Sequence, residues 1–351
     1  MIIVLSIYIN YNYIQYSYLK IYLKKNLKME KISLLLSERL LKVNKLILEK
    51  MASNIPLISE IAEYILSSGG KRIRPLLALS SAKMLKYEGS NKDICLASAV
   101  ELIHTATLLH DDVVDKSSKR RNKETANEVW GNEATILVGD FLFSRAFELM
   151  VETNSLEVLR TLSQASCKIS EGEMNQLMSQ NNPNTSTNDY IKIIKGKTAE
   201  LFSAACKSGA LISTKNQNKI NALEKFGEEL GISYQLVDDA LDYLPNNKTL
   251  GKSIGDDFRD GKISYPIIVS WENGTDTERK FWKRVIKDLN QKSEDFAKAL
   301  NLINKYNGII KTYELAKIHS QNAIKSLSIF ENSEEKESLI EVAEFSLKRL
   351  Y

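Results

Sequence analysis

From residue 31 onward, apolar side chains recur at steps of three and four, as in Ile61, Ile65 and Leu66 or Leu223, Phe226 and Leu230. That spacing collects them on one face of an α-helix. No stretch alternates with the period of two expected of a half-buried strand. The pattern therefore predicts a chain of helices broken by short polar punctuation: SSGG at 67–70, NNPNTSTND at 181–189, PNN at 245–247 and GDDFRDGK at 255–262. Neither an internal repeat nor an interdomain linker interrupts the series. One all-α domain over residues 29–351 is the predicted organisation.

Composition supports this reading. The 351 residues are 43% hydrophobic and 26% charged, the balance of a globular protein with a sizeable core. Only 5 prolines occur, which favours long helices. Residues 1–28 stand apart: they are rich in Ile and Tyr, carry Lys20, Lys24, Lys25 and Lys28 with no acid, and lack helical periodicity. Their lysines account for the net charge of +4, so residues 29–351 are close to neutral and bulk charge implies no nucleic-acid partner. The apolar run ends at Asn10, too short to span a bilayer. Three readings remain for this extension: a start assigned too far upstream of a native Met29, a weak membrane-surface anchor, or a targeting peptide. The first is favoured because clean periodicity begins at Met29. Cys95, Cys167 and Cys206 form no CxxC pair and suit a reducing cytoplasm, and 3 histidines exclude a His-rich metal site.

Two acidic clusters carry the chemistry. DDVVD at 111–115 and DDALD at 238–242 both follow apolar helical runs. Asp111 with Asp115, and Asp238 with Asp242, are four apart and project from one helix face, where like charges repel unless a cation sits between them. Hard divalent ions such as Mg²⁺ take oxygen ligands, and they complete their shells with water and phosphate where a protein supplies few carboxylates. One such cluster alone is better read as a solvated helix face. Two of them, accompanied by basic motifs, point to a diphosphate substrate held through metal.

GGKRIRP at 69–75 sets Lys71, Arg72 and Arg74 at the mouth of a helix after two glycines, an arrangement suited to an anion. His104, Leu108, Asp111 and Asp115 fall on one stripe, His104 lying two turns, about 10 Å, from Asp111. Arg120 and Arg121 offer guanidinium forks for phosphate oxygens. Lys197, Thr198, Gln235, Lys252 and Lys262 add donors. No activated serine, cysteine or general base is evident, and metal–diphosphate chemistry needs none.

These motifs, with KGKTAELF, GKSIGDDFRDGKISYP and TANEVWGNEATILVGDFLFSRAF in the same order, resemble the trans-isoprenyl (polyprenyl) diphosphate synthases over essentially all of 29–351. Among them the chain is most similar to the long-chain octaprenyl and decaprenyl diphosphate synthases. The resemblance implies the isoprenoid synthase fold, a helical bundle around a central cavity, assembled as a homodimer. It implies a prenyltransferase that joins isopentenyl diphosphate head-to-tail to an allylic diphosphate. By the same resemblance, Asp111, Asp115, Asp238, Asp239 and Asp242 hold three Mg²⁺ ions; Arg120, Lys197, Thr198, Gln235, Lys252 and Lys262 bind the allylic diphosphate; Lys71, Arg74, His104 and Arg121 bind isopentenyl diphosphate. The catalytic set is Asp111, Asp115, Asp238, Lys197 and Lys252.

One departure is RRNKET, with Asn122 where the family has glycine; asparagine tolerates left-handed backbone better than most residues. Ala106 and Thr107, one turn before Asp111, are expected to form the upper wall of the product tunnel. Both are small, which implies a long product, with Phe141, Phe143, Phe147 or Met150 as a deeper floor. An octaprenyl-like chain for a quinone such as ubiquinone is the leading reading, released with peripheral membrane contact. A farnesyl or geranylgeranyl diphosphate synthase is the short-chain alternative. A terpene cyclase would not need the second anion site at GGKRIRP, and a non-catalytic subunit of a heteromeric synthase would not keep both acidic clusters.

Overall fold

Capping side chains set the helix boundaries. Ser155 Oγ accepts the Val158 amide at 3.3 Å, Asn216 Oδ1 accepts Asn218 and Lys219, Thr275 and Glu278 cap each other reciprocally, and Ser333 Oγ accepts Lys336. Each supplies a partner to an amide that the first helical turn leaves orphaned. The computed structural model describes residues 30–67, 69–120, 123–244 and 254–349.

The helices that build the site are α1 (Ser37–Met51), α2 (Ile73–Met84), α3 (Lys92–Val114), α4 (Asn132–Glu152), α5 (Leu156–Ser179), α6 (Glu200–Leu211), α7 (Gln217–Leu241), α8 (Gly308–Ser326) and α9 (Glu334–Lys348). Shorter helices join them. The all-α expectation holds: among the described residues the only strands are β1 (Lys119–Arg120) and β2 (Lys123–Glu124), an antiparallel pair with Lys119 opposite Glu124. No described helix is long and apolar enough to cross a membrane.

Helix α3 packs along α4 and α2; α6 lies against α2, α5 and α7; α7 runs beside α8, and α9 closes over α2, α7 and α8. The two helices that carry the acidic clusters, α3 and α7, are thus joined through α2 and α6. Ile61, Leu77, Val100, Leu109, Leu142, Phe202 and Leu230 belong to one large core. A smaller cluster around Phe258, Trp282 and Ile303 supports the segment after residue 254.

Two glycines allow a close approach that matters for the site. A Cβ at Gly172 on α5 would stand 2.4 Å from Lys197 N, and one at Gly231 on α7 would stand 2.5 Å from Ala199 Cα. Both helices therefore press on Lys195–Ala199, a single π-helical turn leading into α6. Such turns are rare and tend to occur where a helix must re-aim its side chains.

Candidate active site

On α3 the residues His104, Thr107, Leu108, Asp111 and Asp115 are all half-buried along one stripe, flanked by the fully buried Leu102, Ala106 and Leu109. Burial pushes the Asp111 carboxyl up to about 6, against the pull of Lys197; Glu173, Asp115 and Arg120 are its other charged neighbours.

Two segments tie this stripe to the second acidic cluster. The first is the π-turn: Lys197 faces Asp111, while Thr198 Oγ1 donates to Gln235 Oε1 at 2.8 Å and Gln235 Nε2 donates to Asp239 Oδ1 at 2.8 Å. Lys197 Nζ is itself held by Glu173 at 2.5 Å and Gln176 at 2.6 Å, both from α5. The second is the stretch 255–262, where the Asp257 amide donates to Asp242 Oδ2 at 3.1 Å and Lys262 Nζ donates to Asp115 Oδ2 at 2.8 Å. Lys262 N also donates to Asp257 O at 2.9 Å, so these two contacts share one tight loop. The structure thus brings together Asp111, Asp115, Lys197, Thr198, Gln235, Asp242 and Lys262 as the sequence predicts.

Several partners were not predicted. Asp112, nearly fully buried, receives Arg120 Nε at 3.0 Å and Nη2 at 2.8 Å, which spends that edge of the guanidinium on the protein and fixes its plane. Arg349, just past α9, donates to Asp238 Oδ1 at 2.5 Å and stacks on Tyr234 with Cζ 4.3 Å from the ring centroid. Its side chain is 7% exposed. No spacing rule signals a pair 111 residues apart. On the turn before α2, Arg72 Nη1 pairs with Glu101 on α3 and Lys71 Nζ lies 4.8 Å from the Phe345 ring centroid, while Arg74, in the first turn of α2, lies over Phe202 at 4.6 Å.

Two expectations are revised. Asp239 does not share the face of Asp238 and Asp242: it is 5% exposed, and its oxygens accept from Tyr190 OH at 2.6 Å and from Gln235. Consecutive residues on a helix diverge by about 100°, so with Asp238 facing outward Asp239 turns into the protein and serves as a support. Ala106 belongs to the main core with no exposed surface, because five residues from Asp111 is about 140° round the helix from it. Thr107 is the member of that pair on the stripe, its hydroxyl donating to His104 O. Of the deeper residues, Met150 is core and Phe147 is exposed on α4. Arg121, Asn122, Lys252 and residues 1–28 lie outside the described residues.

Metal fit follows from the donor set. Among the described residues no three Asp, Glu, His or Cys side chains form a preassembled metal cage. Magnesium does not require one, since it keeps waters and phosphate oxygens and takes one or two carboxylates. The outward carboxylates Asp115 and Asp238 are oxygen donors now neutralised by Lys262 and Arg349, and among the described residues Asp111 has no hydrogen-bonded cation of its own. This arrangement has the charge and ligand type for a hard divalent ion bridging to an anionic substrate.

Comparison with known proteins gives a consistent picture. A sequence profile described as polyprenyl synthetase matches residues 55–303. The chain is 40% identical over 310 residues to the octaprenyl diphosphate synthase of Haemophilus influenzae, covering 88% of this chain and 94% of that protein. It is 38% identical over 323 residues to that of Escherichia coli, covering 92% and 99%. The crystal structure of a Caulobacter crescentus polyprenyl synthase complexed with calcium and isoprenyl diphosphate superposes with a TM-score of 0.89 at 42% identity, covering 92% of this chain and 98% of that one. A decaprenyl diphosphate synthase from Rhodobacter capsulatus gives 0.88 at 40% identity, covering 92% and 99%.

Proposed function

Since the chain belongs to the polyprenyl synthetase family and is a prenyltransferase, we propose that it condenses isopentenyl diphosphate head-to-tail onto an allylic diphosphate to make a long all-trans polyprenyl diphosphate. The domain that does so spans 29–351. The observation that carries this reading is the loop 255–262, which holds Asp242 of one acidic cluster by a backbone amide and Asp115 of the other by Lys262. Carboxylates of both clusters border a single basic site.

Asp111, Asp115, Asp238 and Asp242 are the residues that would hold Mg²⁺, three ions in all, whose chemistry is to neutralise the leaving diphosphate. Lys197, Thr198, Gln235 and Lys262, with Arg120 oriented by Asp112 and with Lys252, orient the allylic diphosphate. Lys71, Arg74, His104 and Arg121 place isopentenyl diphosphate so that its double bond meets the allylic C1. The C1–O bond breaks, the new C–C bond forms, and the proton lost from the isopentenyl unit passes to the released diphosphate.

Identity to octaprenyl diphosphate synthases supports an octaprenyl-like product for a quinone side chain. The small Thr107 below Asp111 supports it as well. Homodimer formation is supported by an apolar band on α4 and α5, where Leu137, Phe147, Val151, Met174 and Met178 are exposed. A cytoplasmic enzyme with brief membrane contact for product release completes the reading. The test is incorporation of labelled isopentenyl diphosphate by purified protein with farnesyl diphosphate and Mg²⁺, followed by chromatography of the dephosphorylated alcohols. A long-chain alcohol is expected. Products stopping at fifteen to twenty carbons favour the short-chain alternative, and no incorporation without a second protein favours the heteromeric-subunit alternative.

A further inference from the structure

The turn that carries Lys71 and leads into Arg74 on α2 is held in an uncommon conformation. Gly69 takes a left-handed φ of +80°, which a glycine does freely. Three residues later Arg72 takes φ 49° and ψ 34°, left-handed backbone that is unfavourable for a side chain with a Cβ. From that position its carbonyl accepts the Leu76 amide at 3.0 Å and starts α2. The reversal at Arg72 therefore decides where Lys71, on one side, and Arg74, on the other, project.

The Arg72 side chain does not point to solvent. Its guanidinium pairs with Glu101, and the two side chains are 14% and 6% exposed. Glu101 lies on α3 three residues before His104 and ten before Asp111, so this one ion pair fastens the basic turn to the helix bearing the first acidic cluster. Arg74 lies against Phe202, and its Nε is buried with no hydrogen-bond partner among the described residues. A buried donor left unmet in a native fold calls for an explanation, and a bound anion is one.

We propose that Glu101 is a positioning residue for the non-allylic substrate: through Arg72 it holds the left-handed turn that aims Lys71 and Arg74 at the diphosphate of isopentenyl diphosphate, without touching the substrate itself. This rests on the reading of Lys71 and Arg74 as isopentenyl diphosphate ligands.

The test is a separation of Michaelis constants. Glu101→Gln keeps the shape and removes the charge; KM for isopentenyl diphosphate is expected to rise roughly tenfold while KM for farnesyl diphosphate stays within about twofold. Arg72→Gly added to Glu101→Gln removes the unpaired cation and puts at 72 the residue most at ease in left-handed backbone, so the double variant should return the isopentenyl KM to within about threefold of the parent. Equal rises in both constants, or a double variant no better than the single one, would show that Glu101 contributes only to stability and overturn the proposal. Lys71→Ala separates the two layers of the argument. If it leaves the isopentenyl KM unchanged, the binding-site reading and the proposal fall together; if it raises that KM while Glu101→Gln does not, the positioning role alone falls. Should Glu101→Gln not fold, circular dichroism of the double variant decides whether the pair or the turn was at fault, and its KM values still test the rescue.

Discussion

Replacing Gly172 with alanine sets two effects of opposite sign against each other. Within a helix, alanine is favoured over glycine by about 0.5–1 kcal/mol. Against this, the added Cβ would meet Lys197 N at 2.4 Å and Gly196 C at 2.7 Å, where ordinary contact begins at 3.4 Å. Both neighbours are backbone, so α5 and the π-turn Lys195–Ala199 must separate by about 1 Å, an overpacking that costs roughly 1–3 kcal/mol. The steric term wins. Its consequence for activity is larger than for stability, because the displaced atoms carry Lys197 beside Asp111 and Thr198 on Gln235. A misplacement of about 1 Å in a positioned group lowers kcat/KM by about 100-fold. Initial-rate incorporation of isopentenyl diphosphate, with thermal unfolding measured on the same preparation, reads both. A variant with kcat/KM within about threefold of the parent and an undiminished Tm would refute the claim that this contact sets the position of Lys197.

Three further outcomes are expected. Removing the guanidinium with Arg349→Met leaves Asp238, a third exposed, without its cation, so the metal-free protein loses about 1–2 kcal/mol after allowance for solvent screening; added Mg²⁺ should raise the variant's Tm more than the parent's, and equal increments would count against a shared position for the two cations. Burial opposes ionisation of Glu229, but hydrogen bonds from His319 at 2.6 Å and Lys225 outweigh it and lower the carboxyl to about 2. A depressed carboxylate stabilises the fold above its unfolded pKa, and that stability fades as the pH falls from about 4.5 toward 2; it is on the order of 3 kcal/mol. Glu229→Gln should flatten the acid limb of a pH–stability curve by this amount, and an unchanged limb would exclude the mechanism. Thr107→Phe, which puts an aromatic ring on the stripe below Asp111, should shorten the product to fifteen to twenty carbons; unaltered chain length on thin-layer chromatography would remove Thr107 from the tunnel wall.

Periodicity read along the chain recovers what is local. The stripe from His104 through Leu108 to Asp115 is one helix turn repeated, and its spacing alone places it. The basic turn at Lys71 and Arg74 is likewise contiguous. Helical geometry applied more strictly also separates Asp238 from Asp239 and Thr107 from Ala106, since neighbours in sequence on a helix face different ways. Pairs that depend on how helices meet are invisible to such reading: Lys262 with Asp115 is 147 residues apart and His319 with Glu229 is 90 apart. The π-turn escapes as well. Nothing in KGKTA announces an extra residue per turn, which lies where Gly172 and Gly231 let neighbouring helices approach closely. Arg72 is missed for a different reason, because nothing in a run of lysine and arginine says which cation faces inward.

The reach of Arg349 to Asp238 bears on how the protein should be handled. Arg349 lies immediately past α9, so an affinity handle fused close behind it would begin beside a group seated on the second acidic cluster. A polyhistidine tail there would bring both bulk and its own metal ligands to a cluster of carboxylates. Purification tags belong at the amino end, and a carboxyl-tagged preparation that turns over slowly should be cleaved and assayed again before the catalyst is judged poor.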